Sequence, residues 1–356
     1  MTGSAPTLDR VDLDQRGRAE LGFLRSLRGG LAPLRTAALE KLERSGAFEG
    51  DFTTIEKLRE RTDPVLREDP GFRLTGAVLR WAREQTTPRA VAAYERRRPQ
   101  LEPLALPIGL DRFEDRLGRR KPPAYWSYDF HTTTGGWDGH EQMGFVHHEL
   151  VYRYMLIAAY GAGIFDQRQK VAEAAPRAGY RNIVDLGCGT GQYTVKLAEA
   201  YPRAGITGVD LSRSELLYAL RRGEERGFAW RMVRGAAEDT GLEAGSFDLV
   251  TSFILLHEVP PAVTRRILAE AFRLLEPGGD VHFSDVTPYA QRTPQQAWAD
   301  DWDAEQGNEP WWRTAATLDL AALAAEAGFI EIQQRGLGPN AYPWVLTARK
   351  PSRENS

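Results

Sequence analysis

An α/β fold, with a parallel sheet built from β-α-β units behind a helical N-terminal region, is predicted for this chain by three features of its sequence. Residues 181–210, RNIVDLGCGTGQYTVKLAEAYPRAGITGVD, run from a buried strand at Asn182–Leu186 through a glycine turn at 187–191 and a helix at 192–201 to a second strand at 205–209. Short apolar runs at 230–233, Phe247–Phe253 and 280–286 then alternate with helical patterns at 213–226 and 265–275, the rhythm of a parallel sheet. Before residue 120 the pattern changes: leucine and alanine recur at helical spacing over 11–28, 34–45 and 72–85, with arginine and glutamate on the other faces.

The glycine turn carries the first chemical signal. Glycines where a strand turns into a helix permit positive φ and let the backbone come within contact distance of a ligand. Asp210, 19 residues beyond Gly191 at the tip of the second strand, is placed to accept hydrogen bonds from both hydroxyls of a ribose. A dinucleotide fingerprint spaces its glycines G-x-G-x-x-G, whereas here they fall at 187, 189 and 191 with an acid, Asp185, just ahead of them. Asp185 would repel a pyrophosphate but can help fix the α-amino group of an amino acid, directly or through water. The pattern favours S-adenosylmethionine over NAD.

Asp185-Leu186-Gly187-Cys188-Gly189-Thr190-Gly191, followed by Gly208-Val209-Asp210-Leu211-Ser212, resembles the cofactor motifs of the class I S-adenosylmethionine-dependent methyltransferases, in particular the branch that acts on small molecules of secondary metabolism. The resemblance covers about residues 150–350 and implies a Rossmann-like, seven-stranded core with S-adenosylmethionine as cofactor. It implies that Asp185, Gly187, Gly189 and Gly191 hold the methionine portion and that Asp210, with Leu211 beside it, holds the ribose. Arg234-Gly235-Ala236-Ala237-Glu238-Asp239 stands where such enzymes carry a Gly-Asp-Ala loop against the adenine. Ala236 replaces the usual aspartate, which leaves Glu238 or Asp239 to supply the carboxylate and the Ala237 amide to reach N1. A plain surface turn is the alternative for both acids.

Length and composition bound the rest. At 356 residues the chain exceeds a single compact core, so a second module is expected, and 42% hydrophobic residues suffice for packed interiors. A net charge of -3 gives no basis for a general polyanion binder, so no nucleic-acid partner is expected. The single cysteine, Cys188, excludes an internal disulfide and a cysteine-based zinc site, and reads as a small filler beside the cofactor. No apolar run approaches a membrane span, and residues 1–6 lack a basic-then-apolar signal, so a cytoplasmic location without membrane contact is expected.

Taken in order, residues 1–120 form a helical cap or dimerisation region, through which a homodimer is expected if the second reading holds. Arg96-Arg97-Arg98 reads as a solvated helix end, and Pro103, Pro107, Pro122 and Pro123 mark a linker over 100–123. Residues 121–170 form an aromatic, histidine-rich substrate segment with a lead-in helix from 149 to about 169. It gathers Tyr125, Trp126, Tyr128, Phe130 and Trp137 with His131, His140, His147 and His148 around a Gly135-Gly136 bend. His147 and His148 are adjacent and point apart, without the i,i+4 spacing of ligands on one helix, so no metal is expected. Glu149 stands four residues before Arg153 and can pair with it. The mixture suits a substrate pocket, with Trp137 and His147 in it, and the resemblance adds Tyr128 and His131 as candidates at the cofactor's methionine end.

Residues 171–350 form the core. The strand Phe247–Phe253 ends at Ile254-Leu255-Leu256-His257-Glu258-Val259-Pro260, so Phe253 and His257 face the crevice outside the strand ends. His257, or His131, can act as general base, because histidine titrates near working pH; packing or capping is the alternative for each. The insert at 287–316 holds Trp298, Trp302, Trp311 and Trp312 among Asp300, Asp301, Asp303 and Glu305. It reads either as a lid over an apolar substrate, with Trp302 in the pocket, or as packing against the N-terminal helices. A helix at 318–328 and strands at 329–335 and 344–350 close the chain.

The resulting expectation is methyl transfer from S-adenosylmethionine to a small organic acceptor, at a hydroxyl or an activated carbon. A peptide or protein acceptor and a cofactor-binding scaffold without catalysis are the alternatives.

Overall fold

Eight strands form one sheet in the computed structural model, which describes residues 11–50, 52–133, 136–156 and 163–352. They are β1 Phe113–Asp115, β2 Asn182–Leu186, β3 Gly205–Asp210, β4 Arg231–Arg234, β5 Phe247–Phe253, β6 Leu275–Asp285, β7 Ile330–Gly336 and β8 Trp344–Arg349. Their order across the sheet is β1-β4-β3-β2-β5-β6-β8-β7. Pairings from β1 to β6 are parallel, while β8 runs antiparallel to both β6 and β7. The seven strands expected of the core are joined by β1, which comes from the stretch read as linker and sets Phe113 opposite Met232.

Every residue of β5 is buried, because helices cover a parallel sheet on both faces. From β2 the chain builds outward through β3 and β4, then returns to lay β5 on the other side of β2. That reversal opens a crevice at the carboxyl ends of β2 and β5, where Asp185 pairs with Thr251 and Leu186 with Ser252. The turn after β2 needs its glycines. Gly187 has φ +70° and lies so close under Leu255 that a Cβ would come within 2.8 Å of the leucine's Cδ1. The amides of Gly187 and Cys188 both donate to the Val209 carbonyl, which ties the turn to the end of β3.

The N-terminal region contains helices at Gln15–Gly30, Ala32–Arg44, Ile55–Leu66, Pro70–Arg96 and Arg98–Ala105. The one at Pro70–Arg96 continues past the expected end because Thr86, Thr87, Ala90, Ala93 and Tyr94 prolong its buried stripe beyond Pro88. Helix Ile55–Leu66 was not expected; it carries four buried positions among charged residues. Arg96, Arg97 and Arg98 are fastened to Asp14, Asp12 and Glu102 instead of standing free in solvent.

Two apolar cores join these helices to the rest. In one, Leu21, Leu24, Tyr94 and Leu101 pack with Phe145, Leu150 and Tyr218. In the other, Leu42, Leu58 and Leu79 pack with Trp298 and Trp302 of the insert helix Pro294–Gly307. The acids of that helix face arginines. Asp301 receives Arg59 at 2.7 Å, Arg313 at 2.8 Å and the Tyr289 hydroxyl at 2.9 Å, while Asp303 pairs with Arg35 at 2.6 Å. The wide-turned helix Val146–Leu156 and the helix Gly163–Glu173 lead into β2. Gly135, residues 1–6 and the middle of the lead-in helix expected over 149–169 lie outside the described residues.

Burial would raise the Asp301 carboxyl, but Arg313, Tyr289 and Arg59 outweigh it and hold it below the ordinary aspartate value. The pairing therefore contributes stability above that ordinary value and loses it as pH falls through the lower folded-state value. Asp301→Ala, which leaves Arg59 and Arg313 facing a buried gap, is expected to cost about 3–5 kcal/mol in chemical denaturation at neutral pH, with the difference from wild type shrinking in acid. A loss under about 1 kcal/mol would show that the insert is held by its tryptophans alone.

Candidate functional site

The crevice at the sheet reversal collects two acids, Asp185 buried and Asp210 half-buried. Asp185, 1% exposed, accepts the Thr194 hydroxyl on Oδ2 at 2.7 Å, while its Oδ1 is buried with no partner among the described residues. Burial pushes its pKa up to about 7, with the Thr194 bond opposing and Asp210 adding to the rise. Asp210 accepts the amides of Gly189 at 2.9 Å and Ser212 at 2.8 Å; burial outweighs these bonds and raises it to about 7 as well. Each Asp210 oxygen keeps a further lone pair that a ligand diol can use. A free, buried carboxylate oxygen on Asp185 is what an ammonium group requires. Beside them Phe253 packs on Tyr193, and the Arg168 guanidinium lies over the Phe253 ring at 4.6 Å and over the Tyr152 ring at 5.3 Å.

The loop after β4 separates its two acids. Glu238 is turned inward and accepts the Tyr125 hydroxyl at 2.8 Å. Asp239, 71% exposed in its side chain, faces Arg120 across 3.5 Å at the surface. Ala237 lies in the main core, and Leu211 packs with Ala236, Leu117, Tyr125 and Trp126.

Residues 124–133 and 136–148 lie across the carboxyl ends of the strands as a strap, fastened at several points. After Tyr125 and Glu238 come the Ser212 hydroxyl on the Trp137 carbonyl and the Asp138 carboxylate, His147 on Glu215 at 3.0 Å, and His148 on the Thr190 hydroxyl at 2.9 Å. His147 is thus an anchor of the strap, its ring tilted 42° against Trp137 at 4.4 Å. Tyr128, 37% exposed, is engaged with the insert: its hydroxyl donates to Asn308 and its ring packs on Trp311 and Phe130. Trp302 is displaced from the expected pocket, held between Phe72 and Trp298 in the cap core. Of the four insert tryptophans, Trp298 and Trp302 serve packing, whereas Trp311 and Trp312 face the strap and the strand ends.

His257 follows β5 and is 4% exposed. Its Nδ1 lies 2.8 Å from Asp285 Oδ1 at the end of β6, and the amides of Leu256 and Val286 hold that carboxylate in place. Burial works against the charged imidazole, but the Asp285 charge and hydrogen bond outweigh it and raise His257 to about 9. The Trp312 ring stands 5.2 Å away, edge-on. His131, with φ +53°, bridges Glu258 at 3.2 Å through Nε2 and Glu309 at 2.5 Å through Nδ1. Burial opposes its charge too, yet the two carboxylates raise it to about 10. Asp285, Glu258, Glu309 and Arg168 were missed from sequence. Asp285 alone left a signal, an acid closing the strand next to the one that ends at His257.

Among the described residues no group of three or more His, Cys, Asp or Glu could hold a metal ion, and no helix is long and apolar enough to cross a membrane.

Residues 183–279 match the model of a family described as a methyltransferase domain. The chain is 34% identical over 175 residues to the ubiquinone biosynthesis O-methyltransferase of Ralstonia nicotianae, covering 48% of this chain and 71% of that protein. It is 28% identical over 197 residues to the erythromycin 3''-O-methyltransferase of Saccharopolyspora erythraea, covering 52% of this chain and 63% of that one. A solved O-methyltransferase family protein from Burkholderia thailandensis aligns at 16% identity and a TM-score of 0.49, over 76% of this chain and 73% of that chain.

The electrostatic account of His257 is open to direct titration. In the Asp285→Asn variant burial is opposed only by the Glu309 and Glu258 charges, so the NMR-detected pKa of the imidazole is expected to fall well below about 9. A ring that still titrates near 9 would contradict the account.

Proposed function

The chain belongs to the class I S-adenosylmethionine-dependent methyltransferases, and we propose that its acceptor is a hydroxyl of a small organic molecule, with His257 as the base that removes the hydroxyl proton. The observation that carries this reading is the buried His257–Asp285 pair at the carboxyl ends of β5 and β6. Asp285 takes the Nδ1–H, which leaves Nε2 to accept a proton from an acceptor held against it.

The residues at the crevice fit the family's cofactor. The free Oδ1 of Asp185 suits the α-ammonium, Asp210 the ribose hydroxyls, and Glu238 the adenine edge, with the amides of the glycine turn against the methionine portion. When bound, S-adenosylmethionine supplies an electrophilic methyl carbon, so the protein's task is to orient a nucleophile, take its proton and keep water away. The strap and the Trp311–Trp312 segment serve the last purpose, and their closure over the strand ends supports a small acceptor over a polypeptide. The named activities of the Ralstonia and Saccharopolyspora relatives, both O-methyltransferases, support a hydroxyl acceptor, and the second supports a place in secondary metabolism.

A panel of phenolic and alcoholic acceptors, scored by release of S-adenosylhomocysteine, tests the reading. Only neutral His257 is a base, so kcat/KM of an active acceptor is expected to rise with pH through about 9. His257→Gln should lose about 100-fold or more and the pH dependence with it. Full activity in that variant would assign the proton to another group.

A further inference from the structure

Two polar atoms beside His257 lack a partner, and they are chemically complementary. Glu309 lies between the helices Pro294–Gly307 and Trp312–Thr317, with its side chain 8% exposed. Its Oε1 is taken by His131, while Oε2 is buried with no hydrogen bond among the described residues. Trp312, whose ring borders the His257 imidazole, buries an indole Nε1–H that is equally unmet. Native structures rarely leave buried carboxylate oxygens and N–H groups unanswered.

The segment bearing these atoms is fixed from several sides. Asn308, in a left-handed conformation at φ +58°, accepts the Tyr128 hydroxyl at 2.9 Å and donates to the Asp129 carbonyl at 2.7 Å. Tyr125, Tyr128 and Phe130 surround Trp311, and His131 binds Glu309 from the strap. Burial would raise the Glu309 carboxyl, but the neighbouring His131 and His257 outweigh it, so the free oxygen stays a charged acceptor.

We propose that Glu309 and Trp312 receive a second hydroxyl of the acceptor, on a carbon next to the one that bears the reacting hydroxyl, so that the acceptor is a vicinal diol. A hydroxyl donates and accepts at once: it gives its proton to Glu309 Oε2 and takes the Trp312 N–H on its oxygen. An ammonium would leave the indole unmet. A carbonyl or an ether would leave Glu309 unmet, and a carboxylate would add like charge against it. The Trp312 ring stands edge-on 5.2 Å from the His257 ring that would take the proton, a spacing that suits a second hydroxyl on a carbon next to the reacting one. The inference rests on the reading of His257 as the base and names the substrate class of that site.

The test uses the full chain with S-adenosylmethionine and two matched probe pairs, catechol against phenol and trans-1,2-cyclohexanediol against cyclohexanol. Wild type is expected to prefer a diol at least about 30-fold in kcat/KM, the ratio carried by one hydrogen bond to a charged group. In Glu309→Gln and in Trp312→Phe the preference should fall below about 5-fold, chiefly through KM. Trp312→Phe retains the ring against His257 and the His131–Glu309 pair, so it separates recognition from folding. Equal use of diol and monohydroxyl probes by wild type would overturn the proposal, as would an unchanged preference in both variants. So would failure of both diols to yield S-adenosylhomocysteine with a protein that binds this product in a calorimeter; absence of that binding would instead strike the cofactor reading.

Discussion

The cost of burying a carboxylate governs this molecule, because how each buried acid is answered separates the scaffold from the site. A carboxylate taken out of water is tolerated only when its oxygens are met by donors or cations. Asp301 is fully met, by Arg59, Arg313 and the Tyr289 hydroxyl, and it locks the insert to the N-terminal helices. Asp285 is met by two backbone amides and His257, and it turns that imidazole into a stronger base. Asp185 and Glu309 are each met on one oxygen only. Asp185 lies near the end of β2, where the sheet reversal leaves room for ligands, and Glu309 on the insert that the strap meets through His131.

Packing then makes the site a closed one. The strap, 124–133 and 136–148, makes side-chain bonds to the loops that follow β2, β3, β4 and β5, through Thr190, Ser212, Glu238 and Glu258. The insert meets the same strap at Asn308, Glu309 and Trp311, and is itself pinned from behind by the arginines of the helical cap. His131 is one junction of strap and insert, its left-handed backbone held by carboxylates on both sides of the ring.

Much of the core was legible because its signals are local. The unit from β2 to β3 and the strand Phe247–Phe253 follow from apolar runs bounded by glycine or acid, which need no knowledge of partners. β1 was hidden, since three residues carry no periodicity and only pairing with β4 defines them. Helix Ile55–Leu66 was hidden because its thin apolar stripe acquires meaning only against Trp298 and Trp302. At the site, Asp185, Asp210 and His257 could be named because they sit at strand ends. The division of labour among the insert tryptophans, the outward turn of Asp239 and the free oxygen of Glu309 are tertiary facts, set by arginines and histidines tens to hundreds of residues away.

The central claim, that the glycine turn with Asp185 and Asp210 holds a nucleoside bearing an amino acid, is tested most directly by calorimetric titration with S-adenosylhomocysteine just below neutral pH. An ammonium at Asp185 favours the ionised carboxylate, whose pKa burial has raised to about 7, so binding should release protons and its heat should depend on the buffer. The account predicts binding with proton release, no binding of NAD, and at least about 10-fold weaker binding in Asp210→Ala. A preference for NAD, or S-adenosylhomocysteine binding indifferent to both Asp210 and buffer, would contradict it.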